Sequence, residues 1–260
     1  MAPVACTLCY MSRNRFVITS KLGAGIRALE DLVWPRQCAG CGRWDVDLCD
    51  ECVREVLTGS VDELLEDAQG IPSWPLVALG EYEGRLRDIL LTAKHDSGRD
   101  MSQSLLLVGR RLGELCFPTV TSLPRGALLR VWIVPAPSSH ERRRRRAEIV
   151  PAVAQAAASS LSEALANGGV GGRRPTPPSP LPIRVVAAVE LSRQAGGMAG
   201  KSARKRGVGR AGSMRLVRPP PKGTAVIILD DVSTTGATLR EMVRLLDPAV
   251  ILCAVVAVAP

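Results

Sequence analysis

The chain has 260 residues, and a hydrophobic content of 46% supplies a packed core, which excludes an intrinsically disordered protein. A net charge of +9 favours an acidic or phosphorylated partner, whereas four Trp, two Tyr and two Phe are too few for a protein that stacks many bases on aromatic side chains. No apolar run reaches the roughly 18 residues that cross a bilayer, and no signal peptide is recognisable, so we expect a cytoplasmic protein with no membrane partner.

The first 35 residues are mixed and weakly periodic, and we interpret residues 1–35 as a leader. Met11 offers a second start, so the leader is also a candidate for an over-extended start. In that case Cys6 and Cys9 belong to no site. Otherwise they would form half of a further cysteine knuckle.

Residues 36–56 contain four cysteines in the pattern Cys-x2-Cys-x7-Cys-x2-Cys. Each pair presents two thiolates on one side of a tight turn, and four thiolates satisfy tetrahedral Zn²⁺. Clustered cysteines in a cytoplasmic chain hold metal more often than they form disulfides, so the spacing predicts a structural zinc module. A redox pair or buried thiols are the alternative. We expect no catalysis there because four thiolates leave no open position on the metal; the predicted ligands are Cys38, Cys41, Cys49 and Cys52.

The remainder of the chain is predicted to form one α/β domain over residues 75–260. Apolar residues recur at three- and four-residue steps over residues 75–130, which predicts two helices separated at residues 96–98. From residue 131 onward, Val/Ile/Ala runs alternate with helical segments, as in a parallel sheet covered on both faces. The predicted strands are 131–134, 183–189, 225–229 and 250–258, and the predicted helices here are 141–166 and 237–246.

Two stretches fall outside this alternation. Residues 168–182 are so rich in Gly and Pro that we interpret them as a flexible insertion. Residues 194–213 are basic and dotted with glycine, and a loop of this length is typical of a lid or a binding loop. Its candidate phosphate contacts are Lys201, Arg204, Lys205 and Arg206.

An ATPase is an alternative interpretation of the same loop. Residues 195–202 read AGGMAGKS, which is one residue short of a Walker A motif, and residues 225–231 resemble a Walker B strand. Two features count against it, since Ala195 stands where the first glycine belongs and later glycines interrupt the helix that a P-loop must open.

The most informative segment is AVIILDDVSTTGATLRE, residues 225–241. Its apolar run predicts a buried strand that ends at Asp230 and Asp231. Threonine and glycine then open a helix, whose outward N–H groups and dipole make a cradle for phosphate. Because two adjacent carboxylates repel unless sugar hydroxyls or Mg²⁺ lie between them, a phosphorylated sugar fits both parts. A strand-to-helix turn capped by threonines is the alternative.

This segment resembles the phosphoribosyl-pyrophosphate (PRPP) loop of type I phosphoribosyltransferases. The resemblance implies that Asp230 and Asp231 hold the ribose hydroxyls of PRPP, which would bind together with Mg²⁺. It also implies displacement at ribose C1 with loss of pyrophosphate, and a parallel sheet of the phosphoribosyltransferase type with flanking helices. The residues implied to hold the 5′-phosphate are Thr234, Thr235, Gly236, Ala237 and Thr238.

Further residues narrow the resemblance. They are the cysteine pairs, a Tyr-x-Gly-x-Leu-Arg segment at Tyr82, the downstream Lys94, a Val-Pro-x-Pro strand end at residues 134–137 followed by arginines, and Gln194 in the basic loop. Together they resemble the ComF family, phosphoribosyltransferase-like proteins with N-terminal zinc knuckles that include a competence-associated member. The residues after that strand end are implied to bind pyrophosphate; these are Ala136, Pro137, Ser138 and Ser139.

The function expected from these features is transfer of a phosphoribosyl group to an unidentified acceptor. The arginines at 142–146 either neutralise phosphate or face solvent on a helix. The alternative function is a non-enzymatic accessory in competence or DNA uptake, which binds single-stranded DNA or nucleotides without turnover.

Overall fold

The computed structural model describes residues 36–66, 70, 72–96, 99–124, 128–138, 149–167, 181–192 and 212–260. Its helices are α1 (Asp50–Thr58), α2 (Gly84–His95), α3 (Ser102–Ser122), α4 (Val150–Asn167) and α5 (Ala237–Leu246). Its strands are β1 (Val61–Glu66), β2 (Pro72–Ala78), β3 (Arg130–Pro135), β4 (Ile183–Val185), β5 (Val189–Leu191), β6 (Met214–Leu216), β7 (Thr224–Ser233) and β8 (Val250–Val258).

Six of the strands form one sheet in the order β1-β2-β8-β7-β3-β4. The pairs β2–β8, β8–β7, β7–β3 and β3–β4 are parallel, and only the edge strand β1 runs antiparallel to its neighbour. A separate two-stranded antiparallel ribbon consists of β5 and β6. The predicted α/β architecture with a mostly parallel sheet and flanking helices is therefore confirmed.

The central strand β7 is buried on both faces. Ile227 and Leu229 belong to the hydrophobic cluster that packs under α1 to α4, whereas Val226 and Ile228 belong to the cluster under α5. Successive residues of a strand point to opposite faces, so a strand covered on both sides needs an uninterrupted apolar run. The run at residues 225–229 supplies it and carries the chain to the acidic pair.

Helices α3 and α4 cover one face of the sheet and pack closely on each other. A Cβ at Gly109 would lie 2.5 Å from the carbonyl oxygen of Val153, and a Cβ at Gly113 would collide with the carbonyl oxygen of Ala157. Glycine at both positions therefore lets the two backbones approach. An ion pair of 2.8 Å between Arg110 and Glu163 bridges the same two helices.

Several predicted elements agree with the structure. The helix at 237–246 and the strand at 250–258 have the predicted bounds, and the predicted break at residues 96–98 lies between α2 and α3. The strand predicted over 225–229 extends to Thr224–Ser233, past both aspartates.

Other elements differ from the predictions. Residues 75–78 belong to strand β2, although the helical interpretation began at residue 75; their apolar residues are consecutive, and the three- and four-residue steps begin only at Leu86. The strand predicted over 183–189 is two strands in the structure. The chain pairs with β3 as β4, leaves the main sheet, and then pairs with β6 as β5 of the ribbon. Strands β1 and β6 were not predicted. Helix α4 is described from Val150, and residues 141–148 of the predicted helix lie outside the described residues.

The cysteine module packs directly on the α/β domain. Cys38, Cys49 and Cys52 are buried in the same hydrophobic cluster as Leu86 and Ile89 of α2. The predicted leader, residues 1–35, lies outside the described residues. Among the helices that the structure describes, none combines the length and the apolar character needed to cross a membrane.

Candidate functional site

The two predicted acids lie at the carboxyl end of β7. Asp230 is partly buried and Asp231 is buried. An oxygen of Asp230 accepts the backbone N–H of Asp231 at 2.8 Å, and Oδ1 of Asp231 accepts the N–H of Val232 at 2.7 Å. Because the acids are consecutive strand residues, Asp230 continues the face covered by α5 and Asp231 the face covered by α2.

Asp231 forms a buried ion pair with a residue far away in the sequence. The ammonium Nζ of Lys94, in the last turn of α2, lies 2.8 Å from Oδ2 of Asp231, and the two side chains are only 15% and 12% exposed. The resemblance singled out Lys94, but it assigned no partner to it. The contact gives the acidic pair a cation supplied by the protein itself.

The loop that follows the acids leads directly into α5. Thr234 and Thr235 are exposed, and Gly236 is the N-cap residue with a φ of 67° and no side-chain capping hydrogen bond. The first backbone N–H groups of a helix have no partner within it, and the helix dipole adds partial positive charge there. The alternative of a threonine-capped turn is not what the structure has, because the cap is a glycine.

Arg240 fixes the outer side of this loop. Its Nη2 donates to the carbonyl oxygen of Thr235 at 2.6 Å, and its Nη1 donates to the carbonyl of Glu66 in β1 at 3.4 Å. Sequence reasoning missed this residue. The available signal was its spacing, since residue i+4 from a helix N-cap returns to the side of the cap.

A cavity of about 320 Å³ lies between this loop and the β1–β2 edge of the sheet. Thr234, Thr235, Gly236 and Arg240 line it on one side, and residues of β1, β2 and β8 line it on the other. Asp230 and Asp231 are not part of its lining.

The segment implied to bind pyrophosphate follows the strand next to β7. Pro135 is paired with Leu229, and the N–H of Ala136 donates to the carbonyl of Leu229 at 2.7 Å. Ala136 therefore lies beside Asp230 at the carboxyl edge of the sheet. Pro137 and Ser138 follow it, whereas Ser139 lies outside the described residues.

Most of the basic loop predicted over 194–213 also lies outside the described residues, including Lys201, Arg204, Lys205 and Arg206. Its last two residues, Gly212 and Ser213, are described and precede β6. The N–H of Gly212 donates to Oε1 of Glu241 at 2.8 Å.

Glu241 on α5 is a second residue that sequence reasoning missed. Its side chain is only 3% exposed and accepts two hydrogen bonds of 2.9 Å from the guanidinium of Arg244. Hydrogen bonds from Arg244, opposed by burial and aided by the N–H groups of Gly212 and Met214, lower the pKa of this carboxyl below its ordinary value. Glu241 thereby ties the β5–β6 ribbon to the helix that begins at the loop. A Glu–Arg pair three residues apart was visible in the sequence, but such pairs usually lie in solvent.

The four cysteines of the predicted metal site come together. All four sulfur atoms lie within 4.8 Å of one another, with Cys41 exposed and the others buried. The Sγ atoms of Cys38 and Cys52 are 3.6 Å apart, and those of Cys41 and Cys49 are 3.5 Å apart. These distances bring the cysteines close enough to bind a metal such as zinc, whose bonds to sulfur are about 2.3 Å.

The thiols of the cluster differ in how readily they ionise. Burial opposes ionisation of Cys38, but backbone hydrogen bonds from Cys49, Cys41 and Gly40 outweigh it and lower the pKa of its thiol to about 6. Burial and the neighbouring sulfurs raise the pKa of Cys52. Because thiolates are the form that binds metal, and because four of them would repel one another, a divalent cation resolves the conflict.

No protein-family model matches this sequence, and no curated protein matches it either. Function is therefore inferred from the residues of the site and their geometry.

Proposed function

We propose that this chain binds a phosphorylated sugar, PRPP in the first instance, at the junction of β7 and α5. The observation that carries the proposal is the continuity of β7, Asp230, the threonine–glycine loop and α5 at the carboxyl edge of a parallel sheet. Ligands of open α/β sheets bind outside the carboxyl ends of the strands. The loop offers backbone N–H donors for the 5′-phosphate, and Asp230 offers carboxylate oxygens for the ribose hydroxyls.

The reaction that suits this site is transfer of the phosphoribosyl group to an acceptor, with pyrophosphate as leaving group. Ala136 lies next to Asp230 and is followed by Pro137 and Ser138, so the backbone of this segment is proposed to contact the diphosphate. Catalysis at such a site consists of holding the sugar in place and stabilising the departing charge. Magnesium bound to the diphosphate would neutralise part of that charge. We assign no general base, and the acceptor is unidentified.

The cysteine module has a structural role in this proposal. Four thiolates complete the coordination of Zn²⁺ and leave no position for substrate. The module packs on α2, the helix that carries Lys94 to the acidic pair. Zinc would therefore hold this side of the domain together. We also propose that this chain belongs to the ComF family, because it combines a cysteine module of this kind with such a site.

Titration calorimetry with PRPP and Mg²⁺ tests the proposal. Asp230→Asn keeps the size of the side chain but removes its charge, and we expect it to weaken PRPP binding about tenfold or more. Asp88→Asn, an exposed aspartate of α2, is the matched control and should bind like the wild type. Release of pyrophosphate on addition of a base would identify the acceptor class.

Two results would contradict the proposal. If the wild-type protein binds no PRPP, the proposed ligand is wrong and only the α/β architecture remains. Binding of single-stranded DNA that depends on salt and is unaffected by Asp230→Asn, with no PRPP binding, would instead favour the DNA accessory.

A further inference from the structure

We propose that Lys94 is the resident counter-ion of the acidic pair and occupies the place at Asp231 that a divalent cation would otherwise take. This inference rests on the proposed sugar-phosphate site, and it concerns the metal requirement of that site. It predicts that a sugar phosphate without a diphosphate binds there without any divalent metal.

The position of Lys94 is fixed by the fold. Ile89 and Leu90, one helical turn earlier on α2, are fully buried in the core and set the rotation of the helix. Lys94 is then directed at Asp231 rather than at solvent, with a contact of 2.8 Å. The last turn of a helix also favours a cation, because the partial charge of its dipole is negative there.

Both oxygens of Asp231 are engaged. Oδ1 accepts the N–H of Val232, and Oδ2 accepts Lys94. Mg²⁺ requires near-octahedral oxygen ligands at about 2.0–2.1 Å, and an ammonium on the same oxygen would repel it. The ammonium of Lys94 therefore opposes Mg²⁺ as a direct ligand of Oδ2 of Asp231. Magnesium that accompanies PRPP would be held by the diphosphate.

The same contact resolves the repulsion between neighbouring carboxylates. The ammonium of Lys94 places a positive charge directly on Asp231. Sugar hydroxyls can then donate hydrogen bonds to the carboxylate oxygens of the pair without a metal ion. Lys94 acts through Asp231, and it is thus a positioning residue rather than a catalytic one.

Binding of Mn²⁺, measured by electron paramagnetic resonance, tests the charge argument directly. Wild-type protein should bind Mn²⁺ weakly at this site. Lys94→Met removes the ammonium but keeps a long side chain, and we expect Mn²⁺ to bind about tenfold more tightly or better, because the second carboxylate is uncovered. The double variant Lys94→Met/Asp231→Asn should return to the wild-type affinity. A residue that only stabilised the fold would not tighten metal binding.

The second measurement uses wild-type protein and ribose 5-phosphate. Its affinity should be equal within about twofold in buffer freed of metal by a chelating resin and in buffer with Mg²⁺. The resin treats the buffer alone, so the cysteine module keeps its metal. This comparison needs no variant and decides the question even where Lys94→Met does not fold.

Two outcomes would overturn the inference. One is an unchanged Mn²⁺ affinity in Lys94→Met, and the other is a loss of more than about tenfold in ribose 5-phosphate affinity when metal is removed. Wild-type protein that binds neither ribose 5-phosphate nor PRPP would refute the proposed function instead, and the Mn²⁺ titrations would then decide the role of Lys94 by themselves.

Discussion

Replacing Gly236 by alanine tests whether the loop before α5 has the shape that a phosphate needs. Gly236 adopts a φ of 67°, which alanine rarely does. A Cβ there would also lie 2.8 Å from Cδ1 of Leu65 and 2.9 Å from Nη1 of Arg240. Leu65 is buried and belongs to the core, so its displacement disturbs the packing of neighbouring residues.

The size of the effect follows from these two contributions. The left-handed conformation costs a residue with a Cβ roughly 1–2 kcal/mol. Overpacking against Leu65 adds roughly 1–3 kcal/mol. Gly42→Ala separates the two terms, because Gly42 has a φ of 74° and a Cβ there would meet nothing within 4 Å. The excess destabilisation of Gly236→Ala over Gly42→Ala therefore isolates the crowding at the loop.

Urea unfolding of both variants measures the difference in the free energy of unfolding at equal slope. Thermal unfolding should show it as a further shift of about 2–4 °C for each kcal/mol. Displacing Arg240 also frees the carbonyl of Thr235, so Gly236→Ala should weaken PRPP binding about tenfold or more at temperatures where it is folded. Equal stability losses in the two glycine variants, or unchanged PRPP affinity, would refute the reasoning.

Three further predictions concern the metal module, the helix packing and the buried carboxylate. Cys49→Ser should reduce bound zinc from about one equivalent per chain, whereas Cys116→Ser, outside the cluster, should keep it; equal zinc by metal analysis would contradict the site. Gly113→Val should destabilise the protein by about 1–3 kcal/mol in urea because its side chain meets the α4 backbone, and an unchanged midpoint would contradict this packing. Arg244 lowers the pKa of Glu241 in the folded protein. The ionised Glu241 therefore contributes to the free energy of unfolding above pH 4.5, and this contribution is lost as the pH falls through the lowered pKa. The stability gap between wild type and Glu241→Gln should be about 1–3 kcal/mol at neutral pH and should narrow in acid, and a constant gap would refute the assignment.

The parts of the site that sequence predicts are those whose signals are local. The apolar run of β7, the acids at its end and the Gly236 turn are consecutive, so one stretch of chain specifies strand, loop and helix start. The cysteine spacing is equally local, because each pair forms its own tight turn. The helix and strand after the loop accordingly have the predicted bounds.

The parts that sequence did not predict depend on contacts between distant segments. Strand β1 buries only Leu65 fully, exposes Leu64 and carries three acidic residues, so no alternating apolar pattern marks it. Arg240 donates to the carbonyl of Glu66 in β1, so this contact could not be predicted while β1 itself was not. The ion pair of Lys94 with Asp231 joins α2 to the end of β7, and no pattern in either segment names the other.

The ion pair between Lys94 and Asp231 gives the two neighbouring aspartates different surroundings. The sequence predicts that two consecutive acids at the end of a strand bind one ligand together. In the structure the strand continues to Ser233, so Asp230 and Asp231 are consecutive residues of a strand and point to opposite faces. Asp230 then lies beside Ala136, while Asp231 contacts Lys94 of α2. In the proposed site, Asp230 would therefore contact the ligand and Asp231 would act through Lys94, because the two acids lie on different faces of the strand.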